Sequence, residues 1–142
     1  MGQMKRRALL SVAFPTISRS LNEASDNLTA QILEFEEALA KFRLGVSAEI
    51  VLHRDDVESD EPMTYVESVE YGKHKGRWAL WQVSYYEESV DVNDPNSYTV
   101  VPLKDAPREF RFEAVEKFQE LLQKLAEEDR NSLLRLLVKP SG

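Results

Sequence analysis

Two histidines, a run of acids and two groups of cations are the residues of this 142-residue chain that could do chemistry. His53 and His74 are the only side chains that titrate near neutrality without help from a neighbour. His74 stands between Lys73 and Lys75, with no carboxylate beside it in sequence, which predicts a solvated turn histidine. His53-Arg54-Asp55 repeats three letters of the protein kinase catalytic loop. The chain has neither the glycine-rich phosphate loop nor the strand lysine of that machinery, so the match is chance. Asp56, Glu58 and Asp60 fall at the spacing of a calcium loop, and Glu67 stands where its bidentate glutamate would. Glu61 replaces the required glycine, Pro62 follows and the flanks read as strands, so a solvated hairpin loop is expected instead. With no cysteine and two separated histidines, neither a transition-metal site nor any other cofactor is expected.

The constellation worth carrying forward is basic. Lys73, His74, Lys75 and Arg77 cluster at one turn, and Lys104, Arg108 and Arg111 surround the start of the last helix. A helix amino terminus offers free N–H groups to anions, and arginine adds bidentate donors. In a four-strand meander the second turn and the exit of the fourth strand lie at the same end of the sheet, so these groups can meet. Against this, net charge is −7, which disfavours non-specific contact with nucleic acid. No nucleophile elbow, phosphate loop or dinucleotide fingerprint occurs, and serines such as Ser47, Ser68 and Ser84 have no adjacent base. No catalytic residues are expected.

The elements that must position these groups follow from periodicity. The organising stretch is Tyr71 to Tyr86: a strand end, a tight turn at Lys73-His74-Lys75-Gly76, then the strand holding both tryptophans, Trp78 and Trp81. A strand apolar on both faces belongs inside a layered fold. Ser20-Leu21-Asn22-Glu23 has the form of a capping box, and Leu21, Leu28, Ile32, Phe35, Leu39 and Phe42 recur at helical spacing up to a stop at Gly45. Val46 to His53 alternates as a half-buried strand, the acidic stretch 55–62 reads as a loop, and Met63 to Tyr71 as a second strand. Residues 87–97 form a second exposed loop, and Tyr98 to Leu103 a fourth, edge strand limited by Pro102. Asp105-Ala106-Pro107 opens the last helix, with Asp105 as cap and Pro107 in the first turn. Its apolar stripe runs through Ala114, Phe118, Leu121, Leu122 and Leu125, and Glu113 with Lys117 and Glu120 with Lys124 are spaced for ion pairs.

The expected architecture is α+β: a four-stranded antiparallel meander with an N-terminal and a C-terminal helix on one face, forming a single domain over residues 18–139. Residues 1–17 are expected to be an arm, extended or a short strand. Lys5, Arg6 and Arg7 before Ala8 to Phe14 have the order of a signal peptide, but Pro15 and Arg19 interrupt it, so a cytoplasmic protein without a membrane span is expected. Two helices cannot cover both faces of four strands. The leftover apolar surface, with Trp78, Leu80 and Trp81 as its candidate residues, would suit a dimer contact or dock the arm.

Three segments carry a resemblance: Leu44-Gly45-Val46, Tyr71-Gly72-Lys73 with Gly76-x-Trp78-x-Leu80, and Pro107-Arg108-Glu109 with Arg111 and Ala114-Val115. Together they resemble a loose set of small bacterial proteins with no assigned activity. That likeness implies the fold alone. The functional expectation is a non-catalytic protein-interaction or regulatory module, with self-association into a homodimer as one form of it. The alternative is a small anionic-ligand or nucleic-acid-binding domain using the basic end of the sheet.

Overall fold

Backbone pairing and helical burial build the expected layers. The computed structural model describes residues 27–58 and 60–138, with side chains to residue 131. The capping box at Ser20–Glu23 and the arm at residues 1–17 lie outside the described residues. The first described helix, α1, is Leu28–Ala40, and its N-cap is Asn27, whose side chain accepts from the Ala30 N–H at 3.1 Å. It unwinds through Arg43 and Gly45, both in left-handed conformations. The helix itself ends at Ala40 with Lys41 as its C-cap, short of the stop expected at Gly45.

Strands β1 (Ala48–Val57), β2 (Met63–His74), β3 (Arg77–Tyr86) and β4 (Tyr98–Pro102) form one antiparallel sheet in chain order. The β2–β3 hairpin closes on Lys75 and Gly76, with φ of 54° and 75°. Two successive positive φ values suit a primed turn that follows strand twist, and glycine supplies one of them without strain. Pro102 ends β4 opposite Trp81. Beyond that point β3 has no β4 partner, and the Leu80 N–H donates to Glu36 Oε2 of α1 at 3.0 Å.

After a short 3-10 turn at Leu103–Asp105 come α2 (Arg108–Glu116) and α3 (Phe118–Val138). The single last helix expected from the sequence is therefore two, broken at Lys117. Residues 127–138 do continue as helix. Pro107 is the N-cap of α2, and no side chain caps it, so Asp105 does not play that role. The expected i, i+4 pairs are replaced by other partners. Glu113 meets His53 of β1 at 2.6 Å, Lys117 reaches Glu120 at 4.0 Å, and Lys124 donates to the Glu49 carbonyl at 2.7 Å.

The core lies between the helices and one sheet face. Ile32, Phe35 and Leu39 of α1 meet Phe110, Ala114, Phe118, Leu121 and Leu125 over Val69, Tyr71 and Leu80 of the sheet. Thus the helices cover the Leu80 face. Trp78, on that same face, stacks on Tyr71 at the rim. Trp81 points the other way, where Ala79, Trp81 and Val83 form a second cluster with Tyr85, Tyr98 and Val100. No described helix residue joins that cluster. No helix of the described residues is long and apolar enough to cross a membrane.

Candidate functional site

The second face of the sheet is concave between β1 and the 87–97 loop. Alternation puts Glu49 of β1 and Glu70 of β2 on this face, directly opposite one another across the ladder. Ser68, Gly72 and His74 follow along β2, and Val83 and Tyr85 along β3. The loop adds Val90 and Val92, and it is held in shape by its own polar groups. The Asp91 N–H donates to Ser97 Oγ at 2.9 Å, while Asp91 and Asp94 side chains accept from the Asn93 and Asn96 N–H groups. The cleft so formed has a volume of about 380 Å³ and is also lined by Ser47, Lys73 and Tyr98.

Its polar groups are tied in two sets. The Glu49 carboxylate accepts from Ser68 Oγ at 2.7 Å and from the Tyr85 hydroxyl at 3.2 Å. Glu70 is paired with His74. The His74 ring stands edge-on to Trp81 and Tyr98, and the Trp81 indole N–H donates to the Gly72 carbonyl at 3.0 Å. His74 is therefore not a free turn histidine. A strand brings Glu70 to it from four residues away, a partner that the local sequence around the turn does not display.

Gly72 makes this possible. A Cβ there would stand 3.0 Å from Glu70 Oε1 and 3.3 Å from the Ser47 Cβ. Gly72→Ala is expected to push the Glu70 carboxylate off His74, seen as altered His74 ring resonances with an unchanged circular dichroism spectrum. Unaltered ring resonances would contradict it.

Burial, and next the Glu49 carboxylate, push the Tyr85 phenol from 10.0 up to about 12. The folded value lies above the unfolded one, so the contribution of the neutral phenol is complete below pH 10 and fades as pH rises toward 12. At neutral pH, Tyr85→Phe is expected to cost about 1 kcal/mol for the lost hydrogen bond. Urea unfolding should show the gap between the native chain and this variant narrowing above pH 10. A gap independent of pH would contradict the pairing with Glu49.

The basic constellation is divided by the fold. Lys73 lines the cleft, Lys75 sits exposed in the turn, and the Arg77 guanidinium lies 5.6 Å over the Trp81 ring. Lys104 and Arg108 are exposed at the 3-10 turn and the start of α2. Arg111 is turned inward and donates to Thr29 of α1 at 2.8 Å, so it braces two helices rather than facing an anion. Of the candidate contact residues, Leu80 is fully buried beneath the helices and is unavailable to a partner. Trp78 and Trp81 lie on opposite faces, 40% and 2% exposed, and do not form one surface.

His53 joins β1 to α2 through Glu113 and faces the Phe110 ring, which is a structural role. Asp56 and Glu67 lie within strands, where Asp56 accepts from Thr64 and Glu67 from Gln82. Among the described residues no three histidine or carboxylate side chains group as metal ligands. Sequence reasoning missed Glu49, Glu70, Tyr85 and Tyr98. The available signal was parity: each of the two glutamates alternates with the apolar residues that mark the core face. No family model, curated protein or solved structure matches the chain.

Proposed function

We propose that the protein is a non-catalytic interaction module whose contact surface is the cleft on the sheet face turned away from the described helices. The observation that carries this reading is the cleft on the sheet face away from the described helices, where Val92 is 82% exposed and Val90 and Tyr98 line the mouth, above the buried cluster of Ala79, Trp81 and Val83. A shaped, polar-rimmed cleft with an exposed apolar side chain at its mouth is the form of a docking surface. The cleft's polar groups are engaged in positioning one another. Ser68 donates to a carboxylate and not to a histidine, and Tyr85 is held as a neutral donor. Neither arrangement activates a nucleophile.

The test uses a panel of fluorescein-labelled extended peptides and two surface variants. Val92 is 82% exposed at the cleft and Phe112 is 54% exposed on α2, so glutamate at either position should leave the fold intact. Peptides that bind the native chain should bind Val92→Glu about tenfold more weakly and Phe112→Glu unchanged. The reverse ranking, or a panel with no binder, would contradict the reading.

A further inference from the structure

We propose that two copies of this chain join side by side, through the free edge of β1 and the outer stripe of α3, as a symmetric dimer. This surface is separate from the cleft. The sheet order leaves β1 and β4 each with one side unpaired by a strand. β4 is an edge of five residues ending in Pro102, which blunts it against further pairing. β1 runs for ten residues without a proline, and its Val51 and Val57 are 37% and 38% exposed. A long open edge is a template for another strand. The Glu49 carbonyl accepts instead from Lys124 of α3 at 2.7 Å, an exposed contact that a strand N–H can replace.

The occupant follows from charge. A groove of about 630 Å³ lies between Glu49–Val51 of β1 and the helix, where Lys117, Glu120, Lys124 and Glu127 form its far side. All four are exposed, and their signs alternate along the chain. Turned end for end about a two-fold axis, the stripe sets Lys117 against Glu127 of the second copy and Glu120 against its Lys124. Every charge then meets its opposite, whereas a parallel copy would set like against like. Lys117 and Glu120 are 4.0 Å apart within one chain, an exposed pair with little to lose in exchanging partners.

The strand agrees with the helix. Glu113 meets His53 and Lys124 reaches Glu49, so the helices run antiparallel to β1 and the middle of the stripe lies beside Glu49–Val51. A second β1 turned about Val51, counted through the bulge at Leu52, sets Arg54 of that copy opposite Glu49. Asp55 and Asp56 then fall opposite Ala48 and Ser47, so no like charges are directly opposed. One axis serves both elements, as an isologous contact requires.

The experiment follows the mass of the full chain by sedimentation velocity over a concentration series, with two charge variants. One carries Lys117→Glu and Lys124→Glu, the other Glu120→Lys and Glu127→Lys. The native chain should be dimeric at about 0.1 mM, where even a micromolar contact is populated. Each variant alone should dimerise at least about tenfold more weakly, because like charges meet across the axis. An equimolar mixture should restore a dimer of one copy of each, which also shows that both variants are folded.

Alternation places the Val51 amide on the same side of β1 as the Glu49 carbonyl, so its hydrogen exchange reports on the edge. A native chain that stays monomeric with a rapidly exchanging Val51 amide would overturn the inference and leave the edge open. A monomer with that amide protected would hand the edge to the chain's own residues 1–26 and overturn it also. Dimers that persist in both variants, or variants that stay monomeric when mixed, would equally contradict it.

Discussion

Phe118→Ala is expected to lower the free energy of unfolding by about 3–5 kcal/mol. Phe118 and Phe35 are both fully buried, and their rings stack with centroids 4.3 Å apart. The pair joins the first turn of α3 to the middle of α1. Truncation removes both the transfer energy of the ring and its stacking contact, and a rigid pocket between helices collapses only in part. A domain of this size is stable by about 5–15 kcal/mol, so the loss is a large share of the total. Urea unfolding should show a lower midpoint with an unchanged slope. Phe112→Ala, six residues earlier on α2 and exposed, should stay within about 0.5 kcal/mol. Comparable losses at the two positions would contradict the assignment of the core.

Trp81→Ala should cost about 3–5 kcal/mol as well, but through the other face of the sheet. Its side chain is 2% exposed, its indole donates to the Gly72 carbonyl, and both His74 and Arg77 pack on its ring. Trp81→Phe retains most of the apolar bulk and removes only the donor, leaving the Gly72 carbonyl without its partner. It should cost about 1–3 kcal/mol. The order of the two variants carries the argument. If phenylalanine cost as much as alanine, the indole hydrogen bond would dominate; if phenylalanine cost nothing, that bond would contribute nothing to stability. The alanine variant should also disturb His74 and with it the wall of the cleft, whereas Phe118→Ala should leave the cleft resonances in place.

Period and turn chemistry made much of the fold legible. The apolar spacing from Leu28 to Leu39 announces α1, the alternation from Val46 to Leu52 announces β1, and the glycine at 76 announces the hairpin. What the sequence hid was set by partners. Asp55, Asp56 and Val57 read as a charged loop, yet they extend β1 because Tyr65, Thr64 and Met63 stand opposite them and Arg54 is braced by Glu87. Charge on an exposed strand end costs little when the ladder is complete. The break at Lys117 left no trace in the apolar phase, because Ala114, Phe118 and Leu121 remain on one face through it. The site was less legible than the fold. Basic residues cluster near the hairpin in sequence, but the fold places Arg111 between helices and Arg77 over an indole. Glu49 and Glu70 lie 21 residues apart, and only the β1–β2 register makes them neighbours.

The two indole N–H resonances test most directly whether the face away from the helices is the one that meets a partner. Trp81 lies on that face beside the cleft, and Trp78 on the helix side against Tyr71, so one spectrum reports on both. Addition of a peptide from the panel that binds the native chain should move the Trp81 indole resonance, identified by its loss in Trp81→Phe, and leave that of Trp78 in place. Movement of Trp78 alone, or of neither, would contradict the account.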